Sequence, residues 1–186
     1  MRRVIDVLIS IVLIVMLSPF LLIVVIAIKS TSKGGSLYWS KRVGINNSIF
    51  LMPKFRTMQE GAPQLATHLL DKDAAKISKL GQFLRRNSID EIPQLYSVLK
   101  GDMTLIGPRP ALFNQYDLIE LRKKYMIHKL KPGITGLAQI NGRDENSISE
   151  KVRLDKKYVD NMGFFFDLKI LLMTFAKVIQ KSNISH

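Results

Sequence analysis

Residues 4–28 form the longest apolar run in the chain, interrupted only by the polar residues Asp6, Ser10 and Ser18. Arg2 and Arg3 precede this run, and Lys29 and Lys33 follow it. At about 1.5 Å per residue, a helix of this length can cross a hydrocarbon layer of roughly 30 Å. No small-x-small cleavage site follows, which argues against a signal peptide. Pro19 sits mid-run, where it removes a backbone donor and kinks a helix. Ser18 beside it carries a hydroxyl able to satisfy a freed backbone group. The limbs 4–17 and 20–28 are each too short to cross, and basic residues at both ends favour the same, cytoplasmic side. The pattern predicts a re-entrant membrane helix over residues 1–33, broken at Ser18 and Pro19. A kinked spanning helix is the alternative.

After residue 36 the pattern changes period. Residues 37–39 and 49–52 are β-favouring, and the turn-rich stretch 44–48 between them predicts a hairpin that Pro53 ends. Residues 59–75 read as a loop with a short helix at 65–70. Residues 76–86 space Ile77, Leu80, Phe83 and Leu84 on one helical face. Residues 92–99 form a second helical run, closed by Gly101, with Pro93 suited to its first turn. Residues 114–131 read as a charged amphipathic helix with Leu118, Leu121, Tyr125 and Met126 on its apolar side. Residues 164–181 divide on a helical wheel. Asp167, Lys169, Thr174, Lys177, Gln180 and Lys181 share one half; Leu168, Leu171, Leu172, Phe175, Val178 and Ile179 share the other. With Phe164-Phe165-Phe166 at its start, this helix is expected to lie in a membrane surface, with core packing as the alternative.

Charge and composition narrow the partners. The chain has 186 residues, a net charge of +13 and no cysteine, so disulfides and thiolate metal sites are excluded. Three histidines, His68, His128 and His186, make a histidine-based zinc site improbable. Such a basic chain calls for a polyanion: nucleic acid, nucleotide or phosphate ligands, or an anionic membrane. Its aromatics are not interleaved with the basic residues as a base-stacking surface requires, which disfavours nucleic acid.

The candidate chemistry centres on Asp90 and Glu91, adjacent carboxylates just after Arg85 and Arg86. Acids beside basic groups can serve as a nucleophile and a metal ligand next to bound phosphate. Ser88-x-x-Glu91 is also a capping-box pattern, so both acids could merely complement a helix N-terminus. Pro93 weakens the capping reading without removing it. Lys54 and Arg56 are phosphate-contact candidates, or solvated surface charges. Arg109, between Pro108 and Pro110, has a stiff backbone that presets its guanidinium, suiting a bidentate phosphate contact; an ordinary proline turn is the alternative. In the loop 131–143, Gly133, Gly136 and Gly142 allow close backbone approach to a ligand, and Arg143 adds charge. His68 and His128 read as surface residues.

Several motifs resemble one family when taken together and in order. They are Lys54-Phe55-Arg56-Thr57-Met58, Ser88-x-Asp90-Glu91-x-Pro93-Gln94-Leu95, Leu99-Lys100-Gly101-Asp102-Met103, Gly107-Pro108-Arg109-Pro110, Pro132-Gly133-Ile134-Thr135-Gly136-Leu137-Ala138-Gln139 and Asn141-Gly142-Arg143. This set resembles the bacterial sugar transferases, the monotopic phosphoglycosyl transferases, over nearly the whole chain. The resemblance implies transfer of a sugar-1-phosphate from a UDP-sugar to undecaprenyl phosphate, with release of UMP. It implies Asp90 as the nucleophile and Glu91 as the residue associated with Mg²⁺, the expected cofactor. Arg85, Lys54, Arg56, Arg109 and Arg143 become candidate phosphate or uridine contacts, with Pro108 and Gln139 as further substrate-binding positions.

The expected fold is mainly α with a small β-hairpin. It is a monotopic membrane protein with an N-terminal re-entrant helix (1–33) and surface amphipathic helices. A catalytic domain (34–186), including the interfacial helix 164–181, would lie on the cytoplasmic face of the bacterial inner membrane. Anionic lipids are expected partners, nucleic acid is not, and a homodimer is compatible. Because the chain starts at the re-entrant helix, it resembles the family's minimal form. The stretch 108–116 looks most like enzymes that initiate capsule or O-antigen repeats, which implies an N-acetylated, often 6-deoxy, aminohexose. A diacetamido sugar or a plain hexose is the alternative substrate. A non-catalytic, basic, membrane-anchored adaptor is the alternative function.

Overall fold

The computed structural model describes residues 2–32, 34–59, 77–142 and 146–183. The expected helix at 65–70, His68, Arg143 and His186 lie outside these residues. The chain divides into two compact units. The first comprises Met1–Ser40 and Leu51–Gly101, and the second Lys41–Phe50 and Asp102–His186.

In the first unit, the apolar run forms helix α1 (Arg2–Thr31), and hydrogen-bonded helix continues through Pro19. Ser18 Oγ donates to the Val15 carbonyl at 2.8 Å, the kind of local satisfaction that lets a helix carry a proline. Seven of the more covered positions of α1, Val7, Ser10, Ile14, Leu17, Leu21, Val24 and Ile28, form a seam with alternating spacings of three and four. Away from the seam, Val15 is 66% and Met16 72% exposed. At the N-terminal end Arg3 donates to the carbonyls of Val98 and Leu99, the latter at 2.7 Å. At the C-terminal end Val24 and Ile28 pack with Phe55 and Leu84.

Strands β1 (Leu37–Val43) and β2 (Ile49–Phe55) form the expected hairpin. Its turn puts Asn46 and Asn47 at positive φ (54° and 60°), which asparagine tolerates better than most residues. Pro53 does not end β2 as expected. In a two-stranded sheet each strand has an unpaired edge, where a missing N–H costs no ladder bond. Helix α2 (Lys79–Arg86) starts later than the pattern indicated, because Ser78 caps it by accepting from Gly81 N at 2.9 Å. Ile77 pairs instead with Met58 in an isolated bridge, and Phe83 is exposed. The run 92–99 resolves into a 3₁₀ segment (Ile89–Gln94) containing Pro93, followed by α3 (Leu95–Lys100). Gly101 closes α3 at φ 98°, as expected.

The second unit contains elements that the hydrophobic pattern did not predict. Strands β3 (Thr104–Ile106) and β4 (Gly133–Thr135) pair in parallel, with Thr104 opposite Gly133 and Ile106 opposite Thr135. Helix α6 (Ile148–Asp160) is capped by Ser147, which accepts from Glu150 N at 3.2 Å. Helix α4 (Tyr116–Lys124) is shorter than expected, since Met126 turns left-handed at φ 59° before a 3₁₀ turn at Ile127–Lys129. Tyr125 and Met126 are exposed as a result, while Ile127 and Arg122 are buried. Ala111, Leu118, Ile127 and Val152 form one core cluster; Ile140, Tyr158 and Ile170 form another. The short helix α5 (Leu137–Ile140) leads into the second cluster.

The last helix, α7 (Phe164–Asn183), leaves most of the apolar half of its wheel exposed, as a membrane-surface helix would, and docks through residues of the other half. Two residues of the polar half point inward: Asp167 accepts from Tyr158 Oη at 3.0 Å, and Thr174 bonds Thr135 at 2.7 Å. They flank Ile170, which is 1% exposed. The outward face carries Phe164, Phe165, Leu168, Leu172, Phe175 and Val178. Polar groups make the tertiary contact here because each has a partner of matching geometry, so their burial is not penalised.

Candidate active site

In the first unit the acids sit on a backbone reversal. After α2, Ser88 takes a left-handed conformation (φ 57°) and makes no side-chain capping bond to the 3₁₀ segment it precedes. The capping box is therefore not formed, and one reason for two acids at this place disappears. Asp90 and Glu91 are only 7% and 8% exposed. Buried carboxylates require cationic or hydrogen-bonding partners. Lys54, on β2, supplies one: its Nζ lies 2.8 Å from Glu91 Oε1.

Arg85 approaches from α2. Its Nε donates to Thr57 Oγ1 at 3.0 Å and its Nη2 to Met58 Sδ at 3.3 Å. Gly81 permits this placement: a Cβ there would lie 2.2 Å from the Thr57 carbonyl oxygen, so α2 can rest on the chain just beyond β2 only without a side chain. Arg85 follows one helical turn later. Arg56 is held by the strand backbone, its N–H donating to Ser36 O at 2.9 Å and its Nη2 reaching Leu37 O at 3.5 Å. Lys54, Arg56, Arg85, Asp90 and Glu91 thus belong to one unit, and direct contacts link Lys54 to Glu91 and Arg85 to the Lys54–Met58 motif.

Pro108, Arg109 and Gln139 belong to the second unit, described by itself. The carbonyls of four consecutive residues are engaged there. Pro108 O accepts from Gly133 N at 2.9 Å and Ala111 O from Val43 N at 3.0 Å. Arg109 O accepts from Arg122 Nη1 at 2.7 Å and Pro110 O from Arg42 Nη1 at 3.1 Å. The expected rigidity of this segment is present, with more causes than its two prolines. Two glycines of the 131–143 loop are required by close backbone approach within the protein. A Cβ on Gly133 would meet Gly107 N at 2.1 Å, and one on Gly136 would meet Gly107 O at 2.1 Å. Both admit the neighbouring backbone. Gln139 turns toward the same backbone, with Nε2 3.5 Å from Gly107 O. His128 is half-buried rather than a surface residue, and its Nδ1 is enclosed.

Two adjacent carboxylates are the only acids this turn offers as metal ligands. Among the described residues no cluster of three or more His, Cys, Asp or Glu is placed to hold a metal. The acids at the site are the adjacent Asp90 and Glu91, and Glu91 already faces an ammonium group. Mg²⁺ binds typically through one or two carboxylates plus phosphates, whereas Ca²⁺ and Zn²⁺ require fuller protein cages.

Buried paired acids, cations on the adjoining strand and helix, and a proline-flanked arginine occur in the order expected from the motifs. The bacterial sugar transferase profile matches residues 1–181. The chain belongs to the bacterial sugar transferase family. Relatives of this sugar transferase include EpsL of Bacillus subtilis, a sugar transferase 39% identical over 184 residues, covering 99% of this chain and 90% of EpsL. The UDP-glucose:undecaprenyl-phosphate glucose-1-phosphate transferase of Klebsiella pneumoniae is 38% identical over 189 residues, or 97% of this chain and 41% of that protein. The galactosyl transferase CpsE of Streptococcus agalactiae is 39% identical over 158 residues, 78% of this chain and 35% of CpsE. The chain thus spans about two-fifths or less of these last two relatives.

Within this sugar transferase, the pattern reading missed Arg122 and Asp155. Asp155 Oδ2 accepts from Arg122 Nε at 3.0 Å and Nη2 at 2.6 Å. Burial pushes the Asp155 carboxyl above its ordinary range, against the pull of Arg122 and Lys151. Ser147-x-x-Glu150 was the available sequence clue, since a Ser three residues before a Glu marks a helix start.

Proposed function

We propose that this chain transfers a sugar-1-phosphate from a UDP-sugar to undecaprenyl phosphate, with Asp90 as the nucleophile. The observation that carries the reading is the buried Asp90-Glu91 turn with the Lys54 ammonium 2.8 Å from Glu91. An Asp90 carboxylate oxygen attacks the sugar-bearing phosphorus, and the bond from that phosphorus to the oxygen bridging to UMP breaks. UMP departs, leaving an aspartyl phosphosugar. A phosphate oxygen of undecaprenyl phosphate then attacks the same phosphorus and releases the Asp90 carboxylate. Dividing the exchange in two avoids bringing two anionic substrates together at once.

Lys54 and Arg85 offset the charge of the diphosphate, which would otherwise repel Asp90, and Arg109 is a candidate contact carried by the second unit. Arg56 and Arg143 are further candidate contacts. Glu91, with water and phosphate oxygens, would hold Mg²⁺, whose contribution when bound is to neutralise diphosphate charge. Of the two relatives described above that are named for a sugar, one is named for glucose and the other for galactose. Those names favour a plain hexose over the N-acetylated aminohexose.

Two features support a monotopic placement on the cytoplasmic face. Both ends of α1 pack on the first unit, Arg3 on α3 and Ile28 near Phe55 and Leu84. A straight span would separate those ends by about the thickness of the hydrocarbon layer. The exposed apolar face of α7, with Phe165 84% exposed, fits the headgroup boundary. The net charge of +13 adds attraction to anionic lipids.

The test is UMP release from a panel of UDP-sugars, with and without undecaprenyl phosphate, using the membrane-embedded chain. The panel contains UDP-glucose, UDP-galactose, N-acetylated aminohexoses and a diacetamido sugar. Lipid-dependent release with one member is expected. No turnover of any member, together with salt-sensitive polyanion binding, would establish the adaptor instead. Cysteines placed at positions 1 and 32 should label from the same side of the membrane; labelling from opposite sides would refute the re-entrant helix.

A further inference from the structure

We propose that Arg122, braced by Asp155, is a positioning residue that fixes how Arg109 is presented to the UDP diphosphate. The proposal deepens the reading above and rests on Arg109 being a diphosphate contact. Arg122 lies on α4 and Asp155 on α6, both buried, at 9% and 1% exposure. Two guanidinium nitrogens of Arg122 bond the same carboxylate oxygen of Asp155. The third nitrogen donates to the carbonyl of Arg109 at 2.7 Å. A guanidinium is planar, so anchoring two corners on Asp155 fixes where the third points. The two prolines restrict φ on either side of Arg109, and Pro110 keeps Arg109 itself in the extended region, within which a range of ψ remains open. The Arg122 bond to the Arg109 carbonyl closes that freedom. The direction in which the Arg109 side chain leaves the backbone is then set before substrate arrives, so less ordering remains to be done on binding.

A purely structural role would be served equally well by any well-packed group. Buried ion pairs can often be exchanged for apolar residues of similar volume with little loss of stability. Nothing about core packing requires the third nitrogen to meet the carbonyl of the one arginine between two prolines.

The experiment measures UDP affinity by titration calorimetry, in the presence of MgCl₂, on the detergent-solubilised full chain, with thermal unfolding in parallel. The variants are Arg109→Ala, the paired replacement Arg122→Met with Asp155→Leu, and all three changes together. Arg122→Lys, which keeps the charge facing Asp155 but loses the planar fork, is the fourth. Arg109→Ala is expected to weaken UDP binding about tenfold or more, the scale of a charge-assisted contact. The paired replacement and Arg122→Lys are each expected to weaken it severalfold with unfolding temperatures close to the parent's. In the triple variant the loss should equal that of Arg109→Ala alone, because the pair acts only through Arg109. Parent-like UDP affinity in the paired replacement or in Arg122→Lys overturns the proposal, as do losses that multiply in the triple variant. If the paired replacement does not fold, Arg122→Lys decides. Unchanged affinity in Arg109→Ala defeats the assignment of Arg109 itself, a different failure from that of the brace.

Discussion

In the first unit the important charges meet side chain to side chain, Lys54 on Glu91 and Arg85 on Thr57 and Met58. In the second, the segment holding Arg109 is gripped by its carbonyls, by Gly133, Arg122, Arg42 and Val43. The two arrangements suit different tasks. Groups that take part in chemistry have to exchange partners as substrates come and go, and a side-chain ion pair can open without disturbing the fold. A group that only has to receive charge gains from having its backbone fixed beforehand, because a pre-ordered donor loses little freedom on binding.

The largest expected effect tests the chemical side of this comparison. Asp90→Asn should lower UMP release by about a thousandfold or more, in line with loss of a covalent nucleophile, while membrane association persists. Full activity in this variant would remove the covalent mechanism. The rigid side is tested by Gly133→Ala, whose Cβ would come within 2.1 Å of Gly107 N. Neither backbone can yield without breaking the β3–β4 pair, so a loss of about 3 kcal/mol in unfolding free energy is expected. A variant as stable as the parent would show that this backbone contact is not tight.

Lys54→Met removes one cation from the buried Glu91. Loss of about 2 kcal/mol of stability is expected, together with reduced turnover, measured by denaturant unfolding and UMP release. Parent-like turnover would mean that the ion pair is structural alone and would weaken the contrast between the two units. The smallest effect concerns α7. Phe165→Ser with Phe175→Ser should leave the unfolding temperature nearly unchanged, since both rings are exposed. It should increase the fraction released from vesicles by a high-salt wash; an unchanged fraction would exclude these rings from the membrane contact.

Much of the candidate site was legible because its residues are close together in the chain or locally constrained. The paired acids, the hairpin turn at Gly44–Ser48 and the stiff Pro108-Arg109-Pro110 segment follow from short-range rules of charge, φ preference and ring geometry. Elements that depend on distant partners were not legible. Three-residue strands such as β3 and β4 are too short to show a period, and they exist because residue 107 meets 133–136. The wheel of residues 164–181 was divided correctly by polarity. It left open whether the apolar half meets the protein; the polar half does so, because Tyr158 and Thr135 supply partners for Asp167 and Thr174.

By itself, the sequence determined the apolar N-terminal helix with Ser18 and Pro19 inside it, the order of the motifs and the adjacency of Asp90 and Glu91. These are properties of neighbouring residues, and backbone sterics and local hydrophobic periodicity suffice to express them. Only the tertiary structure decided that Ser88 does not cap, that Lys54 faces Glu91 and that Arg122 bridges Asp155 to the carbonyl of Arg109. The last two depend on residues 13 to 37 positions apart along the chain. Such contacts form when burial makes an unpaired polar group costly, a condition that the folded arrangement creates and a linear pattern does not contain.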